Sequence, residues 1–329
     1  MNHAHENTSA DPEEMLSVAQ AGEFGLISRV VSRLGSPGRA VLVGPGDDAA
    51  LVASPDGRIV ASVDILIEGR HFRRDWAEPA DIGRRAAAAN LADIAAMGGT
   101  ATALLVGLAA PPELEVAWAE ELATGLAEEA ALVGASVVGG DTTSAATVMI
   151  SVTALGDLEG LDPVLRSGAR AGDVVALAGR VGYAAAGYTV LSRGFRTPRL
   201  LVDAYRRPEV PYALGPAAAR AGATAMIDVS DGLIADLGHI AAASGVGIDI
   251  SKNHFAVPEQ MRDAASALGL DAYHWLLAGG DDHALAATFP PGAALPDGWR
   301  AIGSVSAGEG VTVDGRRWAG SPGWDHFRT

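Results

Sequence analysis

The chain is 329 residues long, with 49% hydrophobic and 19% charged residues, a globular composition that points to two domains rather than one core. A formal net charge of −16 argues against nucleic acid as a partner, since phosphate backbones are bound by Lys/Arg excess, yet an acidic protein handles anions where metal ions reverse the local sign. Cysteine is absent, which excludes disulfides, thiol nucleophiles and Cys-ligated zinc, and no apolar run reaches the ~18 residues of a membrane helix.

Met1–Ala19 reads as a disordered tail. Its opening residues, Met1–Glu14, are polar and lack the apolar core of a signal peptide, so a cytoplasmic location is expected. Glu23–Leu34 carries Phe24, Ile27, Val30, Val31 and Leu34 at helical spacing. Strands are expected at Ala40–Val43, Leu51–Ala53 and Ile59–Ile67. Pro79 opens a long Ala-rich helix to about Met97, stopped by Gly98-Gly99, with Asn90 and Asp93 on one face. A strand at Thr102–Leu108, a helix at Leu114–Leu132, and strands at Ser136–Val138 and Thr147–Leu155 follow. The turn-rich stretch Gly156–Gly172 sets the domain boundary, giving a tail over 1–19, an N-terminal domain over 20–158 and a C-terminal domain over 159–329. In the second half, strands at Asp173–Ala178, Thr224–Ile227, Gly247–Ile250, His283–Phe289, Trp299–Ile302 and Val311–Val313 alternate with helices at Gly182–Arg193, Leu200–Arg220 (broken by prolines), Gly232–Ser244 and Pro258–Leu268. The class is α/β (α+β).

The chemistry lies in the acids. Val41–Ala50 runs into Gly-Pro-Gly and then Asp47 and Asp48, close in spelling to a dinucleotide fingerprint. Two carboxylates would repel a pyrophosphate there unless a divalent cation stands between them. Strand-like runs reach aspartate again at Asp64, Asp141, Asp228 with Asp231, and Asp281-Asp282, and Asp93 sits on the Ala-rich helix. One Gly-Asp after a strand is ordinarily a turn. Six clusters point instead to a polyaspartate, multi-metal phosphate site, with Asp48, Asp64, Asp93, Asp141 and Asp228 as the best ligands and Asp47 as a loop cap. Ser230 and Asp231 read either as helix caps or as ligand contacts. Arg166 in Arg-Ser-Gly is either an exposed arginine or a phosphate clamp. His71 is either structural or a substrate contact, Phe72 and Trp76 read as core, and Trp324 either stacks on a ring or anchors the C-terminus. The only lysine, Lys252, has Ser before it and Asn after it, so neither a P-loop nor a protein-kinase lysine is present.

Taken together these motifs resemble the thiamine-monophosphate kinase family, in the superfamily of aminoimidazole ribonucleotide synthetase and selenophosphate synthetase. The resemblance runs from Gly22-Glu23-Phe24 to His326-Phe327. Its motifs are Gly46-Asp47-Asp48-Ala49, Asp64 with Gly69-Arg70-His71-Phe72, Asn90 to Gly98, Gly139-Gly140-Asp141-Thr142-Thr143, Arg166-Ser167-Gly168, Asp228 to Leu233 with Asp236-Leu237, and Trp324-Asp325-His326-Phe327. It implies a two-domain synthetase-like fold whose N-terminal mixed-sheet domains dimerise through their sheets. It implies ATP-dependent phosphorylation of thiamine monophosphate, with ATP and several Mg²⁺ between the domains. By position, Asp48, Asp64, Asp93, Asp141, Asp228 and Asp231 match metal ligands, with Asp48, Asp64, Asp93 and Asp141 essential. Gly140, Asp141, Arg166 and Ser230 match ATP contacts; His71, Asp281 and Trp324 match substrate contacts. Two departures stand out. Asp281 replaces a usual Glu and is one methylene shorter. Val63 replaces a common Thr, leaving only its backbone carbonyl for a metal, while Ser62 beside it keeps a hydroxyl. No general base is expected. The alternatives are another ATP enzyme of the superfamily, or a non-catalytic binder of nucleotide or thiamine phosphate.

Overall fold

The computed structural model describes residues 16–45 and 49–324. Helix α1 (Val18–Ser32) starts earlier than its apolar spacing suggests, because Ser17 and Gln20 form a capping box and Gly22, at φ 67°, joins two helical turns across a kink. Val18 and Ala19 are tied by backbone hydrogen bonds to Leu114 and Pro112. Short strands β1 (Val41–Val43) and β2 (Leu51–Val52) form a hairpin around the first acidic loop, of which Gly46, Asp47 and Asp48 lie outside the described residues.

Four strands then build one mixed sheet: β3 (Val60–Ile67), β4 (Thr100–Ala110), β5 (Ser136–Ser144) and β6 (Met149–Asp157), in the order β3-β6-β4-β5. Only β4 and β5 run parallel. Strand β5 is three times the expected length. Its pairing with β4 continues through Gly140 opposite Val106, where a side chain would strike the Val106 carbonyl at 1.8 Å, so only glycine fits. Asp141 therefore stands within a strand and not at its end.

Helices α2 (Pro79–Ala96) and α3 (Val116–Ala131) cover one face of this sheet. Fourteen of the eighteen residues of α2 are buried, which is why its sequence is alanine nearly all round rather than a stripe. The second sheet explains this. After a short 3₁₀ turn at Arg166–Gly168 come β7 (Val174–Ala178), α4 (Tyr183–Ser192), α5 (Arg199–Arg206), α6 (Leu214–Arg220), β8 (Ala225–Val229), α7 (Leu233–Ser244), β9 (Gly247–Ile250), α8 (Glu259–Leu268), α9 (Ala272–Ala278), β10 (Ala284–Phe289), β11 (Trp299–Ser306), β12 (Gly310–Val313) and β13 (Arg316–Arg317). The seven strands order as β13-β12-β9-β11-β7-β10-β8. Ala176, Ala178, Leu285, Ala287 and Phe289 on one face join the same core as α2 and the first sheet. Val175, Leu177, Ala284 and Ala286 on the other join a second core with α4, α5 and α7. Helix α2 is thus held between two sheets, with Asp81 and Arg85 reaching Arg207 and Asp281 of the C-terminal half.

Helix α9, capped by Asp271 accepting from Tyr273 N, and the two-residue β13 were not expected from pattern. The helix is too short to show a periodicity. Phe72 and Trp76 are core residues, 2% and 8% exposed, as their apolar character suggests.

Candidate active site

The acidic motifs converge where α2, β3 and β8 meet. On β3 the period of two sends Ser62 and Asp64 towards α2, while Val63 (59% exposed) and Ile65 (50%) point the opposite way. The Ser62 hydroxyl and an Asp93 carboxylate oxygen lie 2.5 Å apart, and the Asn90 carbonyl accepts from Asp64 N at 3.0 Å. Asn90, 0% exposed, is fixed in turn by donating to the Ala86 carbonyl. The face shared by Asn90 and Asp93 is thus the one that grips the acid-bearing strand.

From the C-terminal half, β8 delivers Asp228, 4% exposed and 3.1 Å from His283 Nδ1. Burial, followed by the Asp228 charge and then that of Asp64, pushes Asp93 up to about 7, against the pull of the Ser62 hydrogen bond. Burial would lower the His283 imidazole, but its hydrogen bond to Asp228 and the charges of Asp228, Asp281 and Asp93 raise it. The N-cap position of α7 is Gly232, one residue beyond Ser230-Asp231, and carries no side-chain cap. Asp236 reaches back from inside the helix instead, accepting from Asp231 N (3.1 Å) and from the N-cap Gly232 N (2.9 Å). The same two loops are stitched together: Asp281 N donates to Ser230 O at 2.8 Å, Trp324 N to Asp231 O at 2.9 Å, and a side chain at Gly280 would meet Ser230 O at 2.0 Å.

A cleft of about 590 Å³ opens between these elements, a volume suited to a small ligand. Asp64, Asp93, Asp228, Ser230, Asp231, His71, Asp281 and Trp324 all line it. His71 accepts from Ile67 N through Nδ1 at 3.0 Å, which fixes its ring at the end of β3. Trp324 is 58% exposed at the rim. Residues that carried no motif signal also line the cleft: Arg85, Tyr188, Tyr205 and His283. Arg85 lies one turn before Ala89 on the α2 face that includes Asp93, so helical spacing could have found it; the tyrosines carry no signal beyond their aromaticity.

Four expected residues are placed elsewhere. Gly140 and Asp141 sit on β5, the opposite edge strand from β3, and the row Ile65–Ser151–Gly107–Asp141 puts the Asp141 side chain on the uncovered face of the sheet. Three strand spacings separate Asp141 from β3, about 14 Å. Val63 faces that same uncovered side. Arg166 is exposed in its 3₁₀ turn, where its carbonyl accepts from the Ser244 hydroxyl, and does not line the cleft. Asp48 lies outside the described residues. Among the described residues, no group of three or more His, Cys, Asp or Glu is gathered closely enough to hold a metal alone. No helix is long and apolar enough to cross a membrane, again among the described residues.

An acid-lined cleft between a one-sided mixed sheet and a larger α/β half defines the class. Residues 46–158 match the family AIR synthase related protein, N-terminal domain, and residues 170–281 match AIR synthase related protein, C-terminal domain. A thiamine-monophosphate kinase of Mycobacterium tuberculosis is 50% identical over 316 residues, covering 95% of this chain and 94% of that protein. One of Corynebacterium glutamicum is 41% identical, covering 94% and 95%. Among solved structures, thiamine-monophosphate kinase from Stenotrophomonas maltophilia K279a superposes with a TM-score of 0.78 at 33% identity, covering 88% of this chain and 96% of that one. AaThiL complexed with AMPPCP and TMP superposes with a TM-score of 0.77 at 31% identity, covering 95% and 99%. The chain belongs to the thiamine-monophosphate kinase family.

Proposed function

We propose that this protein transfers the γ-phosphoryl group of ATP to thiamine monophosphate (TMP), giving thiamine diphosphate and ADP. The observation that carries the reading is one cleft that gathers the acids of both halves with the three residues expected to touch substrate, His71, Asp281 and Trp324. The AaThiL structure complexed with AMPPCP and TMP supports it.

The mechanism needs little covalent help from the chain. A phosphate monoester has a second pKa of about 6, so the acceptor oxygen of TMP is already an anion at pH 7 and no general base is required. What must be overcome is repulsion between two phosphates, together with in-line alignment, and phosphoryl transfer is governed by those two factors. Asp64, Asp93, Asp228 and Asp231 present only hard oxygen donors, and burial together with the charges of Asp228 and Asp64 pushes Asp93 up to about 7. That donor chemistry fits Mg²⁺, which is held by one or two carboxylates plus substrate phosphates rather than by a complete protein cage. Bound Mg²⁺ would supply charge neutralisation between the two phosphates. Ser62 and Asn90 hold Asp93 and the Asp64 backbone in place, Ser230 presents its side chain at the nucleotide end, and Trp324 closes the rim over the substrate.

The uncovered sheet face supports a homodimer formed through it. Val63, Ile65, Leu105 (37% exposed) and Met149 (37%) form an apolar patch on an otherwise acidic molecule. Asp141 lies on that face and not on the side of Asp64, so its role as an essential ligand is assigned to the site of a second copy, while Gly140, in the row of Asp64, keeps its proposed contact with ATP. Arg166 remains proposed as an ATP contact, reached on movement of the two halves.

³¹P NMR with ATP, Mg²⁺ and TMP tests the function. Growth of a diphosphate pair together with ADP is the expected result; ATP consumed with TMP unchanged would mean a different acceptor, and both unchanged would mean a binder. Rapid quench with γ-labelled ATP in the absence of TMP is expected to trap no phosphoprotein, and label on the protein would overturn direct transfer.

A further inference from the structure

We propose that Arg85 is a positioning residue that aims the Asp281 carboxylate at an amino N–H of the substrate, an inference that rests on reading the cleft as a TMP kinase site. Asp281 is poorly suited to that contact by itself. It is one methylene shorter than Glu, its side chain is 51% exposed, and its backbone sits at φ 67°, a left-handed conformation that a non-glycine residue adopts only when its surroundings hold it there.

The surroundings are visible. Arg85 reaches across from α2, in the other half of the molecule, with its side chain only 9% exposed. Its Nη2 donates to Asp281 Oδ2 at 2.8 Å, and its Nη1 donates to the Tyr205 carbonyl at 2.8 Å. The guanidinium carbon lies 4.5 Å over the Tyr205 ring, which itself packs edge-on against Trp76. Each half of the planar fork is therefore committed, and the plane is clamped on an aromatic face. Such an arginine is no free phosphate clamp. Its work is on Asp281, one oxygen of which it holds while the other, Oδ1, accepts no hydrogen bond among the described residues and lies at the cleft.

Charge argues the same way. Asp228 and Asp231 line the same cleft, and a further unpaired carboxylate would add to their repulsion. Paired with Arg85, Asp281 is a neutral unit with a free acceptor, matched to a neutral aromatic amine rather than to a cation. The Tyr188 and Tyr205 rings, 6.1 Å apart and tilted 49° to each other, line the cleft with the aromatic surface that a heteroaromatic ring bearing such an amine would lie against.

The test is a double-mutant cycle on steady-state kinetics with Asp281→Asn, Arg85→Met and the pair. Each single substitution is expected to raise KM for TMP on the order of ten-fold or more, with kcat and KM for ATP within a few-fold of wild type. Because Arg85 acts through Asp281, the double variant should be no more than about two-fold worse than Asp281→Asn alone. Arg85→Lys, alone and with Asp281→Asn, repeats the cycle with a fold-preserving change and should give a partial effect that vanishes alongside Asp281→Asn. Effects that multiply, or a loss of kcat with KM for TMP unchanged, would overturn the assignment. If wild type itself forms no thiamine diphosphate, the parent reading falls and this one with it; if wild type is active and the effects multiply, only Arg85 is wrong.

Discussion

The two sheets bury themselves differently. The seven-stranded sheet is covered on both faces along β7, β10 and β8, so β10 is buried at all six positions and reads as a continuous apolar run. The four-stranded sheet is covered on one face only, so β3 alternates and leaves Val63 and Ile65 half exposed or more. The site residues divide along that difference. Ser62 and Asp64 face inward to α2 and the cleft, and Gly140 lies in the row of Asp64; Val63 and Asp141 belong to the open side. Among the described residues, one chain's cleft gathers all three residues matched to substrate but not Asp141.

The largest effect is expected on the inward face. Asp93→Asn should lower turnover by about 10²–10³-fold, as removal of one group that stabilises transferring charge commonly does. Circular dichroism should be unchanged, because the Asn retains an oxygen for the Ser62 hydroxyl. Near-normal turnover in the folded variant would remove Asp93 from the catalytic set.

The open face is tested by hybrid dimers. Asp64→Asn and Asp141→Asn chains should each be inactive alone. Mixed and allowed to exchange, they should recover about a quarter of wild-type turnover, since in an isologous dimer half of the random pairs are mixed and one of the two sites in each is intact. No recovery would place Asp141 in its own chain's site or outside the site altogether. Leu105→Arg, which puts a charge on the apolar face, should shift the protein to monomer in analytical ultracentrifugation and abolish turnover with it.

How much of this was legible follows the same division. Helix α2 with Asn90 and Asp93 facing one way, the strand carrying Asp64, and the strand–helix unit around Asp228 could be read directly, because period and motif coincide there. The length of β5 could not, since Gly139-Gly140 reads as a stop until its partner Val106 is known to lie against it. The choice between cap and ligand contact at Ser230-Asp231 stayed open for a related reason. Ser230-Asp231 has cap chemistry, but Asp236 from inside the helix supplies the bonds, and no local pattern separates the two. Arg85 and Tyr205 meet across 120 residues of sequence, and nothing local announces such a contact.

A middle-sized effect belongs to the fully covered half. Asp282 is 5% exposed; its Oδ1 accepts from Ala184 N at 3.0 Å at the start of α4, and its Oδ2 accepts no hydrogen bond among the described residues. Burial pushes this carboxyl from 3.8 up to about 7. The folded state therefore keeps a proton that the unfolded chain gives up near its ordinary value, and stability falls as pH rises from about 4 to about 7. Asp282→Asn should flatten that part of the pH dependence, raising thermal stability at pH 8 relative to wild type more than at pH 5. An equal shift at both values would mean that Asp282 is ionised in the fold.

The smallest expected effect decides most cleanly between the faces. Val63 stands where the family resemblance has a threonine, and a threonine hydroxyl there invites the reading of a side-chain metal ligand. The alternation of β3 contradicts this for the present chain: Ser62 and Asp64, on either side, point to α2, and Val63 points away with 59% of its surface exposed. Val63→Thr should therefore leave the Mg²⁺ concentration needed for half-maximal turnover within about two-fold and change stability by no more than about 0.5 kcal/mol, as surface substitutions do. A marked drop in the Mg²⁺ requirement would show that the hydroxyl reaches the metal. The open face of the sheet would then be a wall of the active site itself, contributed at the dimer seam, and the inward cleft only half of the catalytic volume.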